Sequence, residues 1–227
     1  MAKIFNVSVR AVIARIFDPP ARALLRAGVS PDAITLLGTA GVIAGSIYFA
    51  ATGDYLGGTI IVTLSAFTDL IDGAMARARG PAGKFGAFLD STCDRVADGA
   101  VFGAVAWWMG QHDRPWGAAA AIVSLVAGQV VSYAKARAES LGMSANVGLV
   151  ERAERLILLG IGGLLSAFGV TYGLDYALGV LAVLSIVTIG QRALAVRRQD
   201  RAALAGETGA EPVSVDSGSG TKRIESA

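Results

Sequence analysis

Four stretches of this chain, residues 34–51, 116–134, 156–174 and 176–191, contain no charged residue. A bilayer's hydrocarbon core of about 30 Å is crossed by roughly 20 residues of helix, and within it every backbone polar group must be satisfied inside the segment. Uncharged runs of this length commit the chain to membrane helices. Two further runs qualify with a difference: one passes from Tyr55 into Asp69 and one ends near Met109, and each carries acidic residues at the end that faces the other. With 53% hydrophobic and 17% charged residues over 227 positions, the composition lies outside the soluble globular range. A single cysteine, Cys93, and a single histidine, His112, exclude a disulfide framework, a cysteine-built zinc site and most histidine chemistry. Carboxylates and cations are left to carry any catalysis.

The basic residues set the expected topology. Lys3, Arg10, Arg15, Arg22 and Arg26 precede the first span. Arg77, Arg79 and Lys84 fill the second connection, Lys135, Arg137, Arg152 and Arg155 the fourth, and Arg192, Arg197 and Arg198 follow the last span. The alternate connections are nearly bare, and Trp107, Trp108 and Trp116 fall at the outer boundary. The expected fold is an all-α integral membrane protein of six transmembrane helices with both termini in the cytoplasm of a cell-membrane protein. An amphipathic interfacial helix precedes them, with Phe5, Val9, Val12, Ile13 and Ile16 on one stripe, although the same stripe would also suit packing on the protein itself. Residues 1–33 read as this arm and 34–198 as the membrane domain. Residues 199–227, rich in Gly, Ser, Glu and Thr, read as a disordered tail. Ser30-Pro31-Asp32 supplies a helix start ahead of the first span.

Information is densest between the second and third spans. Asp69 and Asp72 stand three apart and Asp90 and Asp94 four apart, so each pair shares one face of its helix. Gly80-Pro81 and Gly83 break the helix and let the chain reverse, so that the two pairs can face each other. Four carboxylates at membrane depth require a cationic counterpart. Oxygen-only ligands favour hard ions, Mg²⁺ or Mn²⁺, and four aspartates carry charge enough for two, which points to phosphate chemistry. The plain alternative is that they pair with Arg77, Arg79, Lys84 and Arg95. Asp98 continues the stripe of Asp90 and Asp94, either steadying an acceptor or a base or standing solvated in the cleft.

The run Asp69-x2-Asp72-Gly73-x2-Ala76-Arg77-x8-Gly86-x3-Asp90-x3-Asp94 resembles the signature of the CDP-alcohol phosphotransferases at every fixed position. The resemblance implies a six-helix membrane enzyme, usually homodimeric, in which a CDP-linked donor gives its phosphatidyl group to an alcohol and releases CMP. On this chain it assigns Asp69, Asp72, Asp90 and Asp94 to two metal ions and Asp94 also to general-base catalysis. Donor contacts fall to Gly73 and Ala76, where the cytidine would approach closely, to Arg77 at the phosphates, and to Asp32, Thr35 and Gly83.

The signature does not name the acceptor. Lys135, Arg152, Arg155 and Arg192 are the cations available for a second, highly anionic phosphate, although each also obeys the positive-inside pattern and could pair with Glu139, Glu151 or Glu154. From spacing alone the acceptor is a phosphorylated alcohol. The Lys135-Ala-Arg137-Ala-Glu139 and Glu151-Arg152-x-Glu154-Arg155 runs look like those of the actinobacterial phosphatidylinositol phosphate synthases, which implies inositol phosphate. The expected partners are then CDP-diacylglycerol, inositol phosphate, the lipid bilayer and a second copy of the chain, with no nucleic acid. A sister enzyme that uses glycerol phosphate and a non-enzymatic cation carrier are the competing readings. A carrier would need neither Gly73 and Ala76 nor Arg77 at fixed spacing.

Overall fold

The computed structural model describes residues 16–79 and 84–208. Every regular element among them is helical. A helix over residues 16–26 (α1) is followed by α2 (Pro31–Thr52), α3 (Tyr55–Ala66), α4 (Thr68–Arg79), α5 (Lys84–Gln111), α6 (Pro115–Ser140), α7 (Arg152–Ala167) and α8 (Gly173–Thr208). Four segments are long and apolar enough to cross a membrane: Pro31–Thr52, Tyr55–Arg79, Pro115–Ser140 and Gly173–Ala205. The chain is a multi-pass membrane protein. α5 has the length but carries Asp90, Asp94, Arg95 and Asp98, and α7 is shorter, at 16 residues.

Local chemistry explains the boundaries. The Ser30 hydroxyl accepts the Ala33 N–H at 3.1 Å and Pro31 opens the first turn of α2. Gly53, at a left-handed φ of 67°, closes α2, its N–H donating to the Phe49 carbonyl at 2.8 Å. Asp54 then caps α3. The Gly57 N–H donates to its Oδ1 at 3.0 Å and the Tyr48 hydroxyl to its Oδ2 at 2.8 Å, which together hold this carboxyl below the usual carboxylate range. The second span is interrupted at Phe67, so α3 and α4 are separate helices.

Two boundaries depart from the hydropathy pattern. The uncharged run 156–174 is not one helix: α7 stops at Ala167, and the turn that follows contains Gly169 at φ 93°. Its residues Phe168, Val170 and Tyr172 are apolar, so hydropathy alone does not see the turn. In the other direction, α8 continues past Gln199 to Thr208, through Arg201, Ala202, Ala203 and Leu204, which are good helix formers. The expected tail boundary at 199 is therefore crossed by helix. The interfacial stripe from Phe5 to Ile13, the reversal at 80–83 and residues 209–227 lie outside the described residues.

The helices close into a ring. α2 packs on α5, α5 on α6, α6 on α8, α8 on α7, α7 on α3 and α3 back on α2, with α4 against α2. Inside the ring, Val42, Phe49, Val101, Phe102, Val105, Leu159, Leu178 and Leu181 form one buried apolar cluster. Leu37, Ile47, Ile122, Val126, Val183 and Ile186 face outward, as lipid contact requires. The N-termini of α2, α5 and α7 and the C-termini of α4, α6 and α8 share one end of the ring, and the charged residues of interest collect there.

Candidate active site

Arg152, the first residue of α7, reaches into the acidic helices. Its Nη1 donates to Asp69 Oδ2 on α4 at 2.6 Å and stands 2.7 Å from Asp94 Oδ1 on α5. One nitrogen thus bridges the two aspartate pairs that the spacing places on facing helices. Arg95 adds a weaker pair with Asp94 at 3.5 Å. Asp90, an α-helical turn before Asp94, is exposed, and its charge is within electrostatic reach of Asp69, Arg152 and Arg95. Asp72 Oδ2 accepts the Thr35 hydroxyl of α2 at 2.6 Å.

Asp98 is not solvated. It is 2% exposed, its Oδ2 lies 2.7 Å from Arg155 Nη2 and its Oδ1 lies 3.7 Å from Arg152 Nε. Arg155 is equally buried, and α6 makes room for it with Gly128, where any Cβ would collide with Nη1 of its guanidinium. Because Asp98 pins that guanidinium, Gly128→Ala is expected to destabilise the protein by about 1–3 kcal/mol through overpacking. Thermal unfolding in detergent checks this, and a parent-like midpoint would mean that Arg155 yields. Nε of Arg95, Arg152 and Arg155 are all buried without a hydrogen-bond partner, an unusual concentration of unanswered N–H donors.

The extended connection between α6 and α7 delivers Arg152, and α8 holds that connection. Gln199 Oε1 accepts the Ser144 N–H at 2.9 Å and its Nε2 donates to the Ser144 carbonyl at 2.6 Å. The Thr188 hydroxyl oxygen accepts the N–H groups of Leu149 and Val150 at 3.2 and 3.3 Å. Arg192, 2% exposed, donates through Nε to Val147 O at 2.9 Å and through Nη1 to Val131 O at 2.5 Å, tying α6, the connection and α8 together. Its Nη2 lies 3.4 Å from Glu151. Glu154 then accepts the Glu151 N–H at 3.0 Å, which starts α7. Of the four cations read as acceptor contacts, Arg152 and Arg155 meet at Asp98, Arg192 anchors the approach to them, and Lys135 is half-buried near the end of α6.

The residues read as donor contacts gather on α2, α4 and the start of α5. The Arg77 side chain returns over its own helix, with Nη1 placed 3.4 Å from where a Gly73 Cβ would be, and Asp32 Oδ1 stands at the same distance from a Cβ on Gly86. Ala76 is half-buried between them in sequence. Gly83 lies outside the described residues. A cavity of about 610 Å³ runs from Asp69 and Arg152 past Leu70 and Ile161 to Tyr55 and Leu174, with a predominantly apolar lining.

Among the described residues no three His, Cys, Asp or Glu side chains converge as a closed metal cage. The donor set nevertheless fits a hard cation. Asp69 and Asp94 already turn one oxygen each toward a single point of positive charge, all candidate ligands are carboxylates, and Asp72 and Asp90 stand one turn away on the same two helices.

Sequence reasoning did not foresee that Arg152 would sit between Asp69 and Asp94, nor the Asp98–Arg155 pair, nor the loop-holding roles of Thr188 and Gln199. The four-residue spacing of Asp98 from Asp94 was a signal for the second of these. Residues 28–190 match the family model described as CDP-alcohol phosphatidyltransferase. The phosphatidylinositol phosphate synthase of Streptomyces avermitilis is 50% identical over 221 residues, covering 94% of this chain and 90% of that protein. That of Mycobacteroides abscessus is 48% identical over 193 residues, covering 83% and 86%. The crystal structure of the Mycobacterium tuberculosis phosphatidylinositol phosphate synthase with CDP-DAG bound matches with a TM-score of 0.75 at 43% identity, covering 80% of this chain and 94% of that one. The structure of the same enzyme in complex with manganese and citrate matches with the same score and identity over 79% and 88%. With the aspartate signature whole, the helices in matching places and most of its length aligned, the chain belongs to the CDP-alcohol phosphatidyltransferase family.

Proposed function

We propose that the protein is a phosphatidylinositol phosphate synthase, moving the phosphatidyl group of CDP-diacylglycerol onto a hydroxyl of myo-inositol phosphate and releasing CMP. The observation that carries the reading is Arg152: the cations that suit an acceptor phosphate are delivered by α7 to the same point as the signature aspartates of α4 and α5. The relatives at 50% and 48% identity bear the same activity in their names. In this reading six segments cross the cell membrane, α3 and α4 together forming one of them. The site and both termini face the cytoplasm, the arm over residues 1–33 lies in the interface, residues 34–198 form the membrane domain, and the working form is a homodimer.

Asp69, Asp72, Asp90 and Asp94 are the residues that would hold two divalent ions, Mg²⁺ or Mn²⁺. When bound, such ions neutralise the carboxylates and the donor's phosphates and make the phosphorus more electrophilic. The chain's own residues do the rest. Arg77 presents a guanidinium fork to the donor phosphates, Gly73 and Ala76 leave room for the cytidine, and Asp32, Thr35 and Gly83 complete the donor side. Thr35 also keeps Asp72 oriented through its hydroxyl. The apolar cavity takes acyl chain. Lys135, Arg152 and Arg155 take the acceptor's phosphate, whose oxygens would answer the unpartnered Nε atoms of Arg152 and Arg155, while Arg192, engaged with Val131, Val147 and Glu151, holds the connection that brings them there. Asp94 accepts the proton of the acceptor hydroxyl as that oxygen bonds to the phosphorus carrying diacylglycerol. The bond from that phosphorus to the bridging oxygen breaks, and CMP leaves with the electron pair.

Mass spectrometry of the lipid formed from CDP-diacylglycerol and a panel of alcohol phosphates tests the assignment: inositol phosphate should dominate, and preference for glycerol phosphate would make the chain a phosphatidylglycerophosphate synthase instead. Lys135→Ala should raise the acceptor KM by the equivalent of about 1.5–3 kcal/mol, the contribution of a hydrogen bond to a charged group, and leave donor affinity unchanged. An unaltered acceptor KM would remove Lys135 from the phosphate pocket.

A further inference from the structure

A divalent ion held by Asp69 and Asp94 would need the two oxygens that Arg152 Nη1 now contacts. Nη1 donates to Asp69 at 2.6 Å and is ion-paired with Asp94 at 2.7 Å, so it is held against both carboxylates. An ion at the same oxygens would meet a like charge at close range, so the guanidinium and the ion exclude one another. Arg152 has somewhere else to go. Its side chain is 22% exposed, it begins a helix, and its Nε already stands 3.7 Å from Asp98 Oδ1 with no hydrogen-bond partner. Asp98 lies off the signature, is buried, and is tied by Arg155 from the far side. The charged groups around Arg152 are therefore Asp69, Asp90, Asp94 and Asp98 on one hand and Arg155 on the other, with Arg95 on the second oxygen of Asp94, and these arginines disfavour any move away from a carboxylate or an anion.

We infer that Arg152 is an internal competitor for the divalent cation, and that Asp98 is a positioning residue which receives it when the ion binds and turns it toward the acceptor's phosphate. This rests on the divalent-ion reading of the aspartates and adds a coupling to it. An acceptor phosphate that draws Arg152 to itself frees Asp69 and Asp94, so acceptor and ion raise one another's affinity, as linkage requires. The ordering has a use: the centre reaches full positive charge only when the acceptor is present to receive the phosphatidyl group.

Mn²⁺ binding to the full-length protein in detergent, followed by electron paramagnetic resonance without donor, tests this independently of turnover. In the parent protein, inositol phosphate should tighten Mn²⁺ binding by about fivefold or more, the low end of coupling between linked sites. Arg152→Gln should bind Mn²⁺ more tightly than the parent and lose its response to inositol phosphate, while Arg152→Lys, which keeps the charge, should retain competition. Asp98→Asn should shift Mn²⁺ affinity the other way, because Arg152 loses its alternative counter-ion. Absence of any acceptor effect in the parent, or Mn²⁺ binding no tighter in Arg152→Gln, overturns the competition, and a tightening in Asp98→Asn overturns the part given to Asp98. Failure of the parent to bind Mn²⁺ at all would instead overturn the divalent-ion reading itself.

Discussion

Chelation of divalent cations should abolish turnover and donor binding together, and Mg²⁺ or Mn²⁺ should restore both. The donor arrives with a pyrophosphate and must settle beside Asp69, Asp72, Asp90 and Asp94. Arg152 is shared between Asp69 and Asp94, and Asp72 has a neutral hydroxyl for company, so the protein's own cations do not offset this acid cluster. Each unscreened pair of like charges at about 4 Å costs about 4 kcal/mol at the effective dielectric of a protein surface. Several such pairs exceed what Arg77 could return. CMP release from CDP-diacylglycerol, measured with and without chelator, and donor binding measured on the same samples give the two readouts. Full turnover in chelator would sink the metal reading, and donor binding that survives chelation would confine the ions to the chemical step.

Much of the architecture is legible from charge and spacing. Ser30-Pro31 marks the start of α2, and the uncharged runs locate α2, α6 and α8 because lipid contact tolerates nothing else. The aspartate pairs stand on helices as their periodicity requires. What escapes is whatever depends on contacts distant in sequence. Arg152 lies 83 residues from Asp69, and no local rule says which of several basic residues on one side of a membrane enters the acidic cleft. The pairing of Asp98 with Arg155 escapes for the same reason, since either could have been solvated had Gly128 not left a buried place for the guanidinium. The end of α7 is missed for a different cause. At a membrane boundary, apolar residues such as Phe168 and Tyr172 are at home in a turn as well as in a helix, so only Gly169 signals the break.

Asp94→Asn is the substitution with the largest expected effect on the chemical step. An alcohol at neutral pH is a weak nucleophile, and a carboxylate that takes its proton during attack contributes about a hundredfold or more. Asparagine preserves the shape and leaves an oxygen facing Arg152, whose Nη1 now stands 2.7 Å from Oδ1, but it cannot take the proton. At saturating Mn²⁺, turnover should fall by at least about a hundredfold with donor binding largely kept, because the other donor contacts lie on α2, α4 and the start of α5. Asp98 is a poor substitute as base: it is 2% exposed and one of its oxygens is held 2.7 Å from Arg155. Asp90, exposed and one turn away, is the better rival. The same change also removes a metal ligand, and the two roles separate on titration. If raising Mn²⁺ returns Asp94→Asn to parental turnover, Asp94 acts only as a ligand and the base role passes to Asp90. If saturating Mn²⁺ leaves the deficit in place, the lost function is proton acceptance.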